Sequence, residues 1–304
     1  MTRRTLFGFA LACAAVGFAL LAPTTAPAQQ NDAPLKIGMA STFFTDLPSG
    51  LVAVVTAPFP KMMLQTTNLK GCLNYDKDAH TVVKQLESGE TQFGVLHGHE
   101  YAWFQKKHPT IKPLLVVTNK HHNVQAFVLV KMDSPYKKMS DLQGKTIDFP
   151  LMSKEHTRVF VSKYGTDNAG KTVFKNIVHS DNYFGAIDEV GKGGKADAIA
   201  LDSIFLEFYK KEAGPRFAKN LRVLSASIEF PPAVIVYKEG ALKAATVDQF
   251  KTGLIKAKDD PDGAGLMRDW SIDGFVAPPD NYQKMLDASL KEFPVPESLK
   301  VGKQ

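Results

Sequence analysis

Cysteine is scarce in this chain: 304 residues carry two, Cys13 and Cys72. Cys13 falls in an N-terminal segment read below as removable, so no intramolecular disulfide framework can be built. Cys72, inside the apolar stretch Gly71–Tyr75, reads as a buried thiol on a strand. Clustered basic residues are missing as well. The net charge of +6 is spread along the chain, which excludes a nucleic-acid footprint while permitting a cleft that attracts anions. Gly191-Lys-Gly-Gly194 lacks the spacing and the Lys-Ser/Thr ending of a phosphate loop. There is no Ser/His/Asp triad and no carboxylate pair placed for acid–base work, so no catalysis is expected.

Only one long apolar run is present, Leu6 to Ala22, behind the basic Arg3-Arg4 and ahead of Ala26-Pro27-Ala28. Its seventeen residues are fewer than the roughly 20 needed to cross a bilayer. Residues 1–28 therefore read as a secretory signal peptide cut after Ala28, leaving an exported, periplasmic protein.

Two stretches follow one template. Gly89-Glu-Thr-Gln-Phe-Gly-Val-Leu-His97-Gly98 lies over Gly194-Lys-Ala-Asp-Ala-Ile-Ala-Leu-Asp202-Ser203. Each starts at a glycine able to close a helix, continues as a short strand and ends on a polar side chain. Ligands of open α/β sheets bind beyond the carboxyl ends of strands. The repeat predicts two similar lobes presenting His97 and Asp202 to a shared cleft.

Strands are predicted at 35–39, 71–75, 92–96, 111–118, 125–131, 145–149, 176–179, 196–201, 221–226 and 233–238, with helices between most of them. Pro48, Gly50, Pro58 and Pro60 mark residues 41–60 as a loop. The fold class is α/β: two Rossmann-like lobes with mixed, mostly parallel sheets. Residues 34–124 with 232–300 form lobe one and 125–231 form lobe two. Crossings near 123–132 and 225–236 make a two-strand hinge.

Four stretches carry a family resemblance. Ser134-Pro135 with Asp141-Leu142-Gln-Gly144-Lys145 resembles the opening of the second lobe in type II periplasmic binding proteins. Ala196–Ser203, Phe230-Pro231-Pro232-Ala-Val-Ile-Val236 and Ser271-Ile-Asp273-Gly274-Phe275-Val276 resemble the phosphonate/phosphite-binding family of ABC-transporter components. The resemblance implies a non-enzymatic, monomeric solute-binding protein without a cofactor. It would hold a phosphonate, phosphite or phosphate between its lobes and deliver it to an ABC permease in the inner membrane. It also implies that Lys154-Glu155-His156-Thr157, where only Thr157 keeps a hydroxyl, grips the anion at a helix N-terminus. Glu155 would repel an oxyanion if it pointed inward.

His97, His99 and Tyr101 are the candidates from lobe one; Lys154, His156, Thr157 and Asp202 are those from lobe two. If residues 97–99 stay extended, their i,i+2 spacing puts both imidazoles on one side. Neutral imidazole is also a common metal ligand. A second reading therefore keeps the fold but binds a transition metal or metal complex through His97, His99, Glu100 and His156. His121 and His122 are adjacent and would point to opposite faces. A third reading is a ligand sensor for a signalling receptor. A fourth, from the His-Gly-His-Glu run, is an exported metal-dependent hydrolase. Asp202 has a simpler role available as the cap of a helix starting near Ile204.

Overall fold

The computed structural model describes residues 33–119, 124–151, 153–167, 171–296 and 299. The expected signal segment and the His121–His122 pair lie outside them.

The first strand, β1 (Leu35–Ala40), runs into a 3-10 turn over Ser41–Phe44 and two helices, α1 (Ser49–Thr56) and α2 (Phe59–Thr67). The loop expected over 41–60 is thus largely helical. Pro48 and Pro58 stand immediately before the first helical residues. There a proline's missing N–H removes no bond, so these prolines start helices instead of breaking them. Then come β2 (Gly71–Lys77), α3 (Ala79–Ser88), β3 (Phe93–Leu96), α4 (Gly98–Phe104) and β4 (Ile111–Thr118). Asp78 caps α3, accepting the Thr81 N–H at 2.9 Å. Gly89 closes α3 at φ +79°, where glycine carries no Cβ penalty.

The chain then crosses to β5 (Ala126–Lys131), β6 (Thr146–Asp148), α5 (Glu155–Tyr164), β7 (Asn176–Val178), α6 (Tyr183–Lys192), β8 (Ala198–Asp202), α7 (Ser203–Ala213), α8 (Pro215–Asn220) and β9 (Leu221–Ala226). It returns through β10 (Val234–Lys238), α9 (Ala244–Lys256), α10 (Pro261–Asp269), β11 (Gly274–Val276) and α11 (Tyr282–Glu292).

Two sheets result, ordered β11-β4-β10-β3-β1-β2 and β7-β6-β8-β5-β9. β1 runs parallel to β2 and β3, and β6 runs parallel to β7 and β8. The other five pairings are antiparallel. The sheets are therefore mixed, and the expectation of mostly parallel pairing is corrected. The cause is where the crossings land. β5 enters with Ala126 beside Asp202, and β10 enters with Val234 beside Leu96. Both are the carboxyl ends of the neighbouring strands, so the incoming strand must run the opposite way.

Period-2 alternation buries both faces of each sheet. Val234 and Val236 face one core of the first sheet, and Ile235 faces the other. Ala198 and Ala200 face one core of the second, and Ile199 and Leu201 face its partner. This is the pattern of a sheet with helices on both sides.

Val124 and Phe230 pair across the two crossings as an isolated antiparallel bridge. A third connection runs through the C-terminal stretch. The Phe293 ring stacks on Phe230 at 4.6 Å, and its carbonyl accepts the Trp103 Nε1–H at 2.8 Å. Glu292 accepts from Lys163 at 2.5 Å and from the Tyr164 hydroxyl at 2.6 Å, both on α5. The segment expected wholly in lobe one thus ends against lobe two.

Candidate functional site

Both template strands end on a helix cap. His97 is the N-cap of α4 and Asp202 that of α7. Asp202 Oδ1 accepts the Phe205 N–H at 2.9 Å, so its capping role is real. Residues 97–99 do not stay extended, because α4 begins at Gly98. The His97 and His99 rings nevertheless share a side, with centroids 5.4 Å apart and planes 16° off parallel. One is a cap and the other sits in the first turn.

Gly98 brings this turn to the hinge. A Cβ built there would lie 2.2 Å from the Pro231 carbonyl oxygen and 2.5 Å from that of Pro232. Only glycine lets α4 abut the return crossing so closely.

His97 is fixed from several directions. Phe43 stacks on its ring at 3.8 Å. Burial of the ring outweighs the Thr42 backbone, which favours its charged form. The Thr42 hydroxyl donates to Glu100 Oε1 at 2.8 Å, and Glu100 Oε2 accepts the His97 N–H at 3.0 Å. Glu100 is thus a brace for the turn. Burial pushes its carboxyl up to about 7.

His99 and His156 are almost wholly buried, at 1% and 8% exposure. Their rings lie 5.6 and 5.5 Å from the Phe230 ring. His99 also meets Trp103 edge-on at 5.1 Å. The Gln125 backbone at the first crossing favours the charged form of the His156 ring, but burial outweighs it. Burial, followed by repulsion from neighbouring positive groups, brings His99 and His156 down to about 3 and His97 well below its usual value. All three rings are neutral near pH 7.

Four buried polar atoms in this region have no hydrogen-bond partner: Nε2 of His97, His99 and His156, and the Thr157 hydroxyl. Buried polar groups are nearly always paired, and each unpaired one costs about 1–3 kcal/mol. Thr157 lies in the first turn of α5 behind its N-cap, Lys154. Lys154 is exposed, but its charge reaches both His97 and His156. Glu155 is drawn toward Arg158, 3.9 Å away, and Arg158 also pairs with Asp46 of the first lobe.

Other sequence expectations are corrected. Tyr101 is buried in the lobe-one core, and its hydroxyl donates to the Ile111 carbonyl at 3.1 Å. The His97–His99–Glu100–His156 metal set does not assemble, because Glu100 turns to Thr42 and its own helix cap. Among the described residues, no group of three His, Cys, Asp or Glu is placed to hold a metal ion. The second-lobe groups bearing on His97 are His156 and Lys154. Asp202 bears on Tyr183, whose hydroxyl donates to Ser153 Oγ at 3.4 Å and whose ring stacks on Phe205 at 3.8 Å.

Phe43, Phe230, Ser153 and Tyr183 escaped the sequence reading. Ser153 had a usable signal, a hydroxyl one residue before the predicted anion turn. Phe230 had one too, at the start of the Phe-Pro-Pro return crossing. Phe43 and Tyr183 carried none. A cavity of about 470 Å³ lies elsewhere, lined in part by Asn119, Ile204, Lys258 and Arg268. Its two cations are solvent-exposed, whereas the histidine cluster buries unpartnered atoms.

Two α/β lobes joined by paired crossings, with polar groups gathered at strand carboxyl ends, define a type II solute-binding fold. The chain belongs to the phosphonate substrate-binding family of ABC transporters: residues 49–282 match "ABC transporter, phosphonate, periplasmic substrate-binding protein". Solved structures agree in fold. Methylphosphonate-bound PhnD1 from Prochlorococcus marinus is 14% identical over 86% of this chain and 98% of its own, with a TM-score of 0.56. A binding component of an ABC phosphonate transporter from Pseudomonas aeruginosa is 15% identical over 84% and 85%, at 0.53. XAC2383 from Xanthomonas citri, bound to ATP, is 17% identical over 85% and 96%, at 0.57. No curated protein sequence matches the chain. The family is periplasmic and consists of binding components, not enzymes, which removes the hydrolase reading. No helix among the described residues is long and apolar enough to cross a membrane.

Glu100→Gln tests the brace. A carboxyl raised in the fold contributes stability below its unfolded value and loses it as pH rises through about 7. The variant should therefore melt above the parent at pH 8, by up to roughly 3 kcal/mol of stability, with the advantage gone below about pH 4.5. Equal melting at both pH values would place Glu100 in contact with water.

Proposed function

We propose that the chain captures a small oxyanion of the phosphonate, phosphite or phosphate kind between its lobes and hands it to an ABC permease, after export and cleavage behind Ala28. His97 and His99 act from the first lobe. His156, Thr157 and the amino end of α5 act from the second, with Lys154 at the rim. Asp202, through Tyr183 and Ser153, borders the same region. The carrying observation is the set of four buried, unpartnered polar atoms drawn from both lobes. The first backbone N–H groups of α5 have no partner within the helix and favour an anion.

Thermal melting with methylphosphonate, phosphite and phosphate tests this. A ligand at 100 times its Kd stabilises the fold by about 2.7 kcal/mol. At least one should raise the melting midpoint, and Thr157→Val should remove the rise while leaving the unliganded midpoint within a few degrees. A midpoint unmoved by all three would end the oxyanion reading.

A further inference from the structure

Resting on that oxyanion reading, we propose that Arg158 and Asp46 form a clasp between the lobes, one that fastens outside the bound oxyanion and sets how long it stays.

The clasp joins the two sides of the proposed site. Arg158 lies in α5, one residue beyond Thr157 and two beyond His156. Asp46 lies in the turn between β1 and α1 that also carries Thr42 and Phe43. The same turn braces His97, through the Phe43 ring at 3.8 Å and the Thr42 hydroxyl on Glu100. An ion pair from Arg158 Nη2 to Asp46 Oδ2 therefore ties the segment that holds His97 to the helix that carries His156 and Thr157.

Each partner is held by its own lobe. On the second lobe, the Arg158 guanidinium lies over the Phe149 ring, 5.0 Å from its centroid, and its Nε is 3.9 Å from Glu155 Oε2. On the first, the Thr45 hydroxyl donates to the Thr42 carbonyl at 3.1 Å, and the Leu47 N–H donates to that of Phe44 at 3.0 Å. None of these contacts crosses between the lobes. Little ordering is left to be done when the carboxylate reaches the guanidinium. Asp46 also stands at φ +69°, a left-handed backbone that glycine adopts without strain. What aspartate adds there is a carboxylate. Strained backbone of this kind gathers at ligand clamps and switch regions.

The place in the fold suits a clasp. The crossings join the first sheet at β4 and β10; His97 follows β3, the next strand outward, and the Asp46 turn follows β1, one strand further. A contact far from the axis travels furthest when lobes rotate. The other end of α5 sits differently. There Lys163 and Tyr164 hold Glu292, next to the Phe293 that stacks on Phe230 at the return crossing. α5 is thus pinned near the axis by its carboxyl end and fastened at the mouth near its amino end. The Arg158 and Asp46 side chains are 22% and 26% exposed, so water screens the pair only in part.

Stopped-flow binding and calorimetry of the full chain with methylphosphonate and phosphite test this. Asp46→Asn keeps the turn, since asparagine also accepts a left-handed backbone. It should raise the Kd about tenfold, between the effects of exposed and buried ion pairs, with nearly all of the change in the dissociation rate. The factor should be the same for both ligands, because the pair touches neither. Arg158→Gln should match it, and the double variant should bind no worse than Arg158→Gln alone, as partners in one contact do. Asp46→Gly serves if the asparagine variant fails to fold.

A Kd and dissociation rate within about twofold of the parent, or losses that add in the double variant, would overturn the clasp and leave the oxyanion reading intact. Tighter binding by Asp46→Asn would do the same, by showing that the released Arg158 reaches the ligand itself. Failure of methylphosphonate, phosphite and phosphate alike to bind the parent would end both together.

Discussion

A Gly98→Ala chain is expected to lose about 3 kcal/mol of stability or more, the upper range for overpacking a filled interior. The added carbon meets two backbone carbonyls, 2.2 and 2.5 Å away. Neither can rotate aside as a side-chain tip would. Relief requires α4 to leave the Pro231–Pro232 crossing, which moves His97 and His99 with it. Ligand binding should therefore fall along with the denaturation midpoint. Gly265→Ala, inside α10, is the control. Its nearest neighbour would be an Arg268 side-chain atom at 3.7 Å, and alanine there should be neutral or stabilising by up to about 1 kcal/mol. A parent-like urea midpoint for Gly98→Ala would show that the helix does not need this approach.

Acid should unfold the chain early. His97, His99 and His156 bind protons less readily in the fold than in the unfolded chain, where histidine titrates near its ordinary value. Between about pH 6.5 and pH 3 the unfolded chain therefore takes up protons that the fold refuses, and stability falls as pH falls. Glu100 opposes this from about pH 4.5 upward with one proton of the other sign. Three groups against one leave a net loss of at least about 1.4 kcal/mol per pH unit around pH 5. Melting from pH 4.5 to 7 measures it. The double variant His99→Gln, His156→Gln should flatten the acid side. A parent equally stable at pH 4.5 and 6.5 would mean that water reaches the rings.

The framework was legible because it is written in period 2. β4 and β9 fall on the expected 111–118 and 221–226, each an apolar run bounded by turn residues. α4 was not legible. Seven residues carry no helical period when every one of them is buried, and His97 is not a standard cap. β11 is three residues long and gains its identity only by pairing with β4. The site followed the same division. Template strands led to His97, and the family resemblance led to His156 and Thr157. What brings them together is Phe230, placed by the return crossing, and no local pattern reports which rings will meet there. Tyr101 was misplaced for the same reason as α4: on a helix it points into the core, not along a strand end.

The stretch around Phe293 alters how the two halves can move. Two adjoining strands alone would let the halves both open like a book and shear past one another. A ring laid on Phe230 and a carbonyl held by Trp103, with Glu292 anchored to α5 beyond, resist the sliding component. An opening of the halves is therefore expected to follow a single rotation, one that returns three imidazoles and a hydroxyl to the same register.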